Sequence, residues 1–514
     1  MNFAMTSPLA NTDQALSWLR KRLTGQAQLS ADSRTIQPGD GFLAYVVGNE
    51  QHTSDGRAYI EAAFAAGAQA VLYEADEQAY GYAPLDDMPC LGVDRLGWYA
   101  GEIASTWYGQ PSQKMSVIGV TGTNGKTSCA LWIAHALNAL KKRCGVIGTL
   151  GSGWPQALRA TGFTTPDAIQ LQQNFQQFHT QQAQAVALEV SSHGLAQGRV
   201  NGTTFNTAVF TNLTRDHLDY HGDMLCYQSA KQRLFIWPGL QHAIINIDDP
   251  VGRQFLRNMP ANVNVIAYGI QGTAFAQNQS NWLCASDITI TAEGTRFTLT
   301  GKIQGTPYMS IIHSQILGYF NVSNLLAVFG VLLTQGVAWQ QAANALQALQ
   351  PAPGRMQKMG GQHAPLVVID YAHTPDALQQ ALITLKPIAQ ARQGSLWCVF
   401  GCGGDRDPGK RAQMGQVAEI GADKIIITSD NPRSESNAVI VQMIKAGLQY
   451  PEQVKEIEDR ATAILYAVRH ASKQDVILVA GKGHETWQEI NGKKIPFDDT
   501  EHVHLALTAI GANP

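Results

Sequence analysis

The residues Thr121-Gly122-Thr123-Asn124-Gly125-Lys126-Thr127 follow an apolar run at 117–120 and precede a helical stretch over 128–140. Strand, glycine-rich loop and helix in that order suit a phosphate. Backbone N–H groups and the helix N-terminus can wrap its oxygens, Lys126 can reach terminal phosphates, and Thr127 can ligate Mg²⁺. The spacing departs from the strict GxxxxGK[ST], because Val120 stands where the first glycine would fall; Gly122 and Gly125 bracket the turn instead. Glu189 lies at the end of a second apolar run, 186–190, and a carboxylate at a strand's carboxyl end near such a loop can hold a hard cation. Downstream, the polar stretch 212–222 contains His217, and Lys231 falls on a helix expected over 227–235. Taken singly, Glu189, His217 and Lys231 read as solvated or structural groups. Only their company makes them candidates.

These residues need elements to position them. Short β-branched runs recur at 117–120, 186–190, 209–211 and 243–247, then at 366–369, 396–400, 424–428 and 476–479, with helical stretches between. Near-continuous apolar strands alternating with helices imply parallel sheets covered on both faces, whose ligands bind beyond the carboxyl ends of the strands. The polar punctuation falls there, at 121–127, 189–193, 212–217, 370–373, 430–433 and 481–485. The stretch 288–299, centred on Glu293-Gly294, alternates and reads as an antiparallel hairpin. Composition breaks at 109–114 and at Pro351-Ala352-Pro353-Gly354 read as exposed linkers. The expected fold class is therefore α/β in three domains, 1–112, 113–350 and 351–514, with a central P-loop-type parallel sheet and a C-terminal Rossmann-like sheet.

Composition narrows the rest. At 514 residues, 45% hydrophobic and 15% charged, the chain is ordinary for a globular protein. A net charge of −3 supplies no global field for nucleic acid or a membrane surface, so anionic ligands must be held by local groups. The seven cysteines are scattered without a CxxC pair, which argues against a disulfide framework and a zinc site. No basic-then-apolar leader opens the sequence and no apolar run is long enough to span a membrane. A soluble cytoplasmic protein is expected, monomeric, with no nucleic-acid partner and no membrane insertion.

At this point the chain resembles the Mur ligases, ATP-dependent amide-forming enzymes of peptidoglycan precursor synthesis. The resemblance covers nearly the whole sequence. Its motifs are Asp32-Ser33-Arg34 with Pro38-Gly39-Asp40, the loop Gly122, Thr123, Asn124, Gly125, Lys126, Thr127 and Ser128, Thr164-Thr165, and 189–194 with Gln197 and Arg199. They continue through 212–222, Lys231, 318–321, Pro353-Gly354-Arg355, 370–374, 401–407, 430–433 and 481–485. The resemblance implies that the first domain holds uridine diphosphate near Ser33 and His52-Thr53-Ser54. It puts Thr164, Thr165, Ser191, Gln197 and Arg199 on the muramyl peptide, and Asn321, Arg355, Asp370 and His373 on ATP alongside the loop. It implies Mg²⁺ on Thr127, Glu189, His217 and Lys231, the lysine carbamylated by CO₂ into a carboxylate-like oxygen ligand. Lys126, Glu189, His217 and Lys231 would then be the catalytic set. Ala31, Phe163 and Ala412 depart from the usual family pattern and touch individual substrate contacts only.

The amino-acid substrate rests on Asp430-Asn431-Pro432-Arg433, which resembles the diaminopimelate-specific form of the family. Diaminopimelate carries a distal carboxylate that lysine lacks, and a guanidinium can grip it with two hydrogen bonds. Glu485, with Gly481 in the same motif, would receive the distal ammonium, and Arg406 offers a second cation. A buried Arg433 left unpaired by lysine would penalise that substrate strongly. The expected substrates are ATP, UDP-muramyl dipeptide and diaminopimelate, joined through an acyl phosphate. Alternative readings are a lysine-adding relative, a folylpolyglutamate-synthetase-like ligase, and a non-catalytic nucleotide switch. The N-terminal motifs and 430–433 speak against the second, and the joint presence of Lys126, Glu189, His217 and Lys231 against the third.

Overall fold

The computed structural model of the chain describes residues 9–48, 53–75, 88–270 and 279–512. They form two compact units: one of 1–121, 141–208 and 229–241, the other of 122–140, 209–228 and 242–514.

In the first unit, Leu29–Ser30, Gly41–Ala44, Ala70–Glu74 and Cys90–Val93 pair in that order as a parallel sheet. Leu43 and Leu72 bury against Leu16 and Leu19 of the helix Thr12–Arg20 and Leu96 and Ile103 of Leu96–Trp107. A second run of strands has Ser116–Thr121 parallel to Ala185–Glu189, which is parallel to Cys144–Gly148; Gly151–Trp154 and Ala157–Arg159 continue it antiparallel. Residues 111–114, expected as an exposed linker, instead form the 3₁₀ turn Pro111–Lys114. Its Pro111 and Ser112 are buried, and the Ser112 hydroxyl accepts from Thr204 N at 3.1 Å.

In the second unit, His242–Asn246, Asn264–Gly269 and Trp282–Ile290 are parallel neighbours. The hairpin expected over 288–299 is the centre of a larger meander, Trp282–Ile290, Thr295–Ile303 and Thr306–Ser314, turning at Glu293-Gly294. Its outer strand exposes most of its residues and lacks the alternation that revealed the inner turn. The C-terminal sheet runs Gln357–Gly360, Leu366–Asp370, Val476–Ala480, Leu396–Phe400, Lys424–Ile427, Lys455–Glu456, parallel except at its first edge. Alternate residues of these strands serve opposite faces. Val368, Cys398, Phe400 and Leu478 pack on Leu378, Met414 and Ile440, whereas Val367, Val399, Ile477 and Val479 pack on Ile464, Val503 and Leu507. Both faces are covered, which is why these strands read as unbroken apolar runs. The fold is α/β, as the strand pattern implied. No helix among the described residues is long and apolar enough to cross a membrane.

Candidate active site

The phosphate loop belongs to the second unit. Its helix, Lys126–Ala139, begins two residues earlier than the apolar pattern suggested, so Lys126 and Thr127 occupy the first turn. Gly122 and Gly125 have φ of +154° and +87°, and a Cβ at either would strike Thr211 Oγ1 or Asn324 Oδ1. The loop's peptides are tied to a neighbouring strand end: Thr123 N and Asn124 N donate to the backbone and side-chain oxygens of Asn212 at 2.9 Å each. Thr211 Oγ1 donates to Asn124 O at 2.6 Å. Thr123 Oγ1 lies 3.1 Å from Tyr227 Oη. Lys126 Nζ donates to Gly122 O at 2.9 Å and Thr123 O at 2.8 Å, and Arg355 Nη2 donates to Thr127 Oγ1 at 3.2 Å.

Around this loop the same unit gathers several expected residues. Asn321 and Asn324 face one another at 3.1 Å beneath Gly125. Asp370 ends its strand buried, accepting from Met356 N at 2.8 Å; burial lifts its carboxyl to about 6 against the pull of Arg355. His217 Nε2 lies 3.4 Å from Asp216 Oδ2, and His373 Nε2 lies 3.9 Å from the same oxygen. Burial alone would raise Asp216, but the charges of His217, His373 and Lys410 prevail and hold it well below the ordinary carboxylate value. Burial pushes His373 down to about 4 with help from Lys410, so its ring is neutral at pH 7.

The residues expected to take the amino acid lie beyond the C-terminal strands of this unit. Asn431 is the hub. Its Nδ2 donates to Glu485 Oε2 at 2.8 Å, while its Oδ1 accepts from Lys482 Nζ and from Glu489 N at 3.0 Å each. Lys482 Nζ, wholly buried, also donates to Glu485 Oε2 at 3.0 Å. Arg433 adopts a left-handed backbone, φ +51°, fixed by the strand pair Trp487–Ile490 and Lys493–Pro496: its N donates to Glu489 O and its O accepts from Asn491 N. The Arg433 guanidinium donates to Gly404 O at 2.6 Å and approaches Glu489 Oε2 at 3.4 Å. Gly403 leaves room for Arg433 and for the stem of Arg406: a Cβ there would be 3.0 Å from Arg433 Nη1 and 3.8 Å from Arg406 Cγ. A Cβ at Gly481 would strike Asp430 Oδ2, and one at Gly404 would strike Pro432 O, so each loop passes close to 430–433 at a glycine.

The first unit holds the other expected residues. Glu189 is 1% exposed; Thr149 donates to its two oxygens from N at 2.8 Å and from Oγ1 at 3.1 Å. Gly148 makes room for that carboxylate, since a Cβ there would lie 2.7 Å from Glu189 Cδ. Thr149 Oγ1 lies 3.0 Å from Thr164 Oγ1. Thr165 Oγ1 reaches Glu189 O at 2.8 Å and Ser191 Oγ at 3.0 Å, and Ser191 caps the helix Ser192–Ala196. Arg199 donates to Thr165 O at 2.9 Å and to Gln197 Oε1 at 2.7 Å, with Phe163 5.4 Å from its guanidinium carbon. Lys231, 1% exposed, lies near the end of Met224–Gln232. Ser33 opens the 3₁₀ turn Ser33–Thr35, whereas Ser54 lies in a separate strand, Thr53–Asp55. His52 and the Thr53 side chain lie outside the described residues.

Among the described residues no three His, Cys, Asp or Glu side chains form a metal cage. Each unit by itself carries a hard oxygen of the kind Mg²⁺ takes, the Thr127 hydroxyl in the second and the Glu189 carboxylate in the first. Asp216, Tyr371 and Lys482 carry no individual expectation but stand inside the motifs 212–222, 370–374 and 481–485, which is their signal in the sequence; Glu489 lies outside every motif.

Residues 120–332 match the profile of the Mur ligase middle domain, and 354–483 that of the Mur ligase glutamate ligase domain. The chain belongs to the Mur ligase family and is a ligase. A relative from Ralstonia nicotianae, named UDP-N-acetylmuramoyl-L-alanyl-D-glutamate–2,6-diaminopimelate ligase, is 54% identical over 97% of this chain and 96% of its own. One of the same name from a Janthinobacterium species is 48% identical over 99% and 98%. A solved structure with that name superposes with a TM-score of 0.64 at 37% identity, covering 94% of this chain and 95% of the other.

Proposed function

We propose that this chain joins diaminopimelate to UDP-N-acetylmuramoyl-L-alanyl-D-glutamate at the expense of ATP, in peptidoglycan precursor synthesis. The observation that carries the reading is the presence, in one cluster, of the Arg433 guanidinium, with the stem of Arg406 across Gly403, and of the Glu485 carboxylate held by Asn431 and Lys482. A distal amino-acid head offers the complementary pair, an α-carboxylate for the arginines and an α-ammonium for Glu485. Lysine offers only the ammonium.

A carboxylate does not acylate an amine at neutral pH, so it must first be activated. The D-glutamyl side-chain carboxylate attacks the γ-phosphorus of ATP in line and ADP leaves, giving an acyl phosphate; the amine of diaminopimelate then attacks the acyl carbon and phosphate departs. Such transfers depend on positioning and on neutralising charge. The loop N–H groups and Lys126 bind the phosphates, Asn321, Arg355, Asp370 and His373 hold the nucleotide, and Thr164, Thr165, Ser191, Gln197 and Arg199 orient the muramyl peptide. Ser33 and 52–54 bind the distant uridine diphosphate, whose binding energy orients the reacting carboxylate. Mg²⁺, when bound, supplies positive charge to the phosphoryl oxygens, and Thr127, Glu189, His217 and Lys231 as a CO₂-derived carbamate are the residues to hold it. Burying the cationic amine of Lys231 is unfavourable unless it is compensated, and carbamylation replaces it with an oxygen ligand.

The direct test is product formation from muramyl dipeptide and ATP with diaminopimelate, lysine or glutamate as the amine. Diaminopimelate should give the tripeptide at least about a hundredfold faster than the others, given the discrimination possible when a buried polar group loses its partner. Comparable rates with lysine would overturn the assignment. Lys231→Ala should be nearly inactive and partly restored by a short carboxylate in the buffer; parent rates from that variant would remove the carbamate.

A further inference from the structure

The Glu485 carboxylate is held unequally. Both of its strong donors, Asn431 Nδ2 at 2.8 Å and Lys482 Nζ at 3.0 Å, fall on Oε2. A carboxylate held at one oxygen still swings about its terminal torsion, which is intrinsically soft. The group that meets the other oxygen is Tyr371, whose hydroxyl donates to Oε1 at 3.4 Å. Tyr371 follows Asp370 at the end of its strand, and its carbonyl lies 2.8 Å from His373 Nδ1. Gly483 presses on it so closely that a Cβ there would lie 2.7 Å from Tyr371 Cβ. Its ring packs against those of His373 and His484, at 4.6 and 5.0 Å between centroids, and the Arg355 guanidinium carbon sits 4.4 Å from its centroid; that same guanidinium donates to Thr127 Oγ1 at 3.2 Å in the phosphate loop. Thr127, Arg355, Tyr371 and Glu485 thus form an unbroken series of contacts from the nucleotide loop to the amino-acid site, all inside one compact unit.

We infer that Tyr371 is a positioning residue of the ligation reaction: its hydroxyl aims Glu485 Oε1 at the incoming ammonium, and its ring supports the Arg355 that reaches Thr127. The assignment rests on the reading of 430–433 and Glu485 as the amino-acid site. Burial pushes the Tyr371 phenol far above its ordinary value, so it stays protonated and can only donate to the carboxylate. The two ends of the side chain have separable duties. The hydroxyl serves the amino acid, and the ring serves the nucleotide.

Tyr371→Phe, Tyr371→Leu and Glu485→Gln separate these duties in the full-length enzyme, with KM for diaminopimelate and for ATP measured alongside the melting temperature. Tyr371→Phe keeps the ring and should raise KM for diaminopimelate about tenfold, the usual scale for one hydrogen bond to a charged group, with KM for ATP unchanged. Tyr371→Leu should raise both. A purely structural role would lower the melting temperature without splitting the two KM values. Parent KM for diaminopimelate in Tyr371→Phe, while Glu485→Gln raises it, would overturn the inference and leave the site reading standing. Parent KM in Glu485→Gln would overturn the site reading and the inference with it. Parent KM for ATP in Tyr371→Leu would overturn the nucleotide half.

Discussion

Residue by residue, several side chains work only because a glycine opposite leaves room for them. Glu189 is the sharpest case. Its carboxylate folds back along the end of the strand Cys144–Gly148, where Thr149 donates to both oxygens and Gly148 contributes no Cβ. Gly148→Ala would place a methyl group against the carboxylate, and the strand cannot yield without breaking its pairing to Ala185–Glu189. Overpacking of this kind costs about 1–3 kcal/mol. The expected result is a lower melting temperature together with a loss of turnover of at least about tenfold that extra Mg²⁺ only partly restores, because the carboxylate proposed to hold the metal is displaced while its chemistry is intact. Parent turnover across a Mg²⁺ titration would remove Glu189 from the proposed metal ligands. Asn431 shows the same dependence on neighbours: two donors on its Oδ1 dictate which way the amide faces, so its N–H is committed to Glu485.

At the scale of elements, the C-terminal sheet delivers its polar groups at the carboxyl ends of strands buried on both faces. Asp370 is one of them, and its burial leaves a measurable trace. Its carboxyl is raised from 3.8 to about 6. The folded state therefore holds that proton more tightly than the unfolded chain does. Its favourable contribution is complete below about pH 4 and is lost as the pH climbs through about 6, so at neutral pH the buried charge lowers stability. Asp370→Asn removes that charge. Relative to the parent, its melting temperature should rise progressively between pH 4.5 and 7.5, while its affinity for ATP falls; a difference independent of pH would contradict the assignment. The neighbouring ion pair is of another kind. Arg460 and Asp499, both wholly buried, join two helices through paired hydrogen bonds of 2.7 and 2.8 Å, and Arg460 also reaches Ala480 O beneath 481–485.

The strand ends carrying these groups were legible in the sequence for a physical reason. A strand buried on both faces has no polar alternation to hide it, and the first polar residue marks where the sheet stops, at its last position for Glu189 and Asp370 and just beyond it for Thr428. What was illegible depends on tertiary packing. Lys482 reads as a solvated lysine until the strand pair Trp487–Ile490 and Lys493–Pro496 covers the loop before it, and nothing local reveals that cover. Tyr371 falls inside the motif 370–374, but its own contact is hidden, because its hydroxyl partner lies 114 residues away. The turn at Pro111 carried the composition of a linker, yet it is packed, with Ser112 capping a distant backbone N–H. The outer strand of the meander escaped notice because its exposed face carries apolar residues such as Met309 and Ile311, which blurs the period.

For the whole molecule, one consequence is that the loop 121–127, from Gly122 on, and the cluster at 430–433 and Glu485 share a compact unit. Asn124 donates to Asp376 at 3.3 Å, Trp132 Nε1 to Gln350 O at 2.8 Å and Arg355 to Thr127 at 3.2 Å, all joining the loop and its helix to residues beyond 349. The Arg215–Asp407 pair, half exposed at its arginine, adds little energy. The selectivity assigned to that unit can therefore be read without changing the phosphate loop. The most direct measurement is the ratio of kcat/KM for diaminopimelate to that for lysine in the parent and in Arg433→Ala, with ADP release and amide product followed together. The expected outcome is a parent strongly biased to diaminopimelate and a variant whose bias falls by at least about two orders of magnitude, through lost diaminopimelate activity, with its melting temperature near the parent's. An unchanged ratio in Arg433→Ala would contradict the claim that this guanidinium selects the substrate.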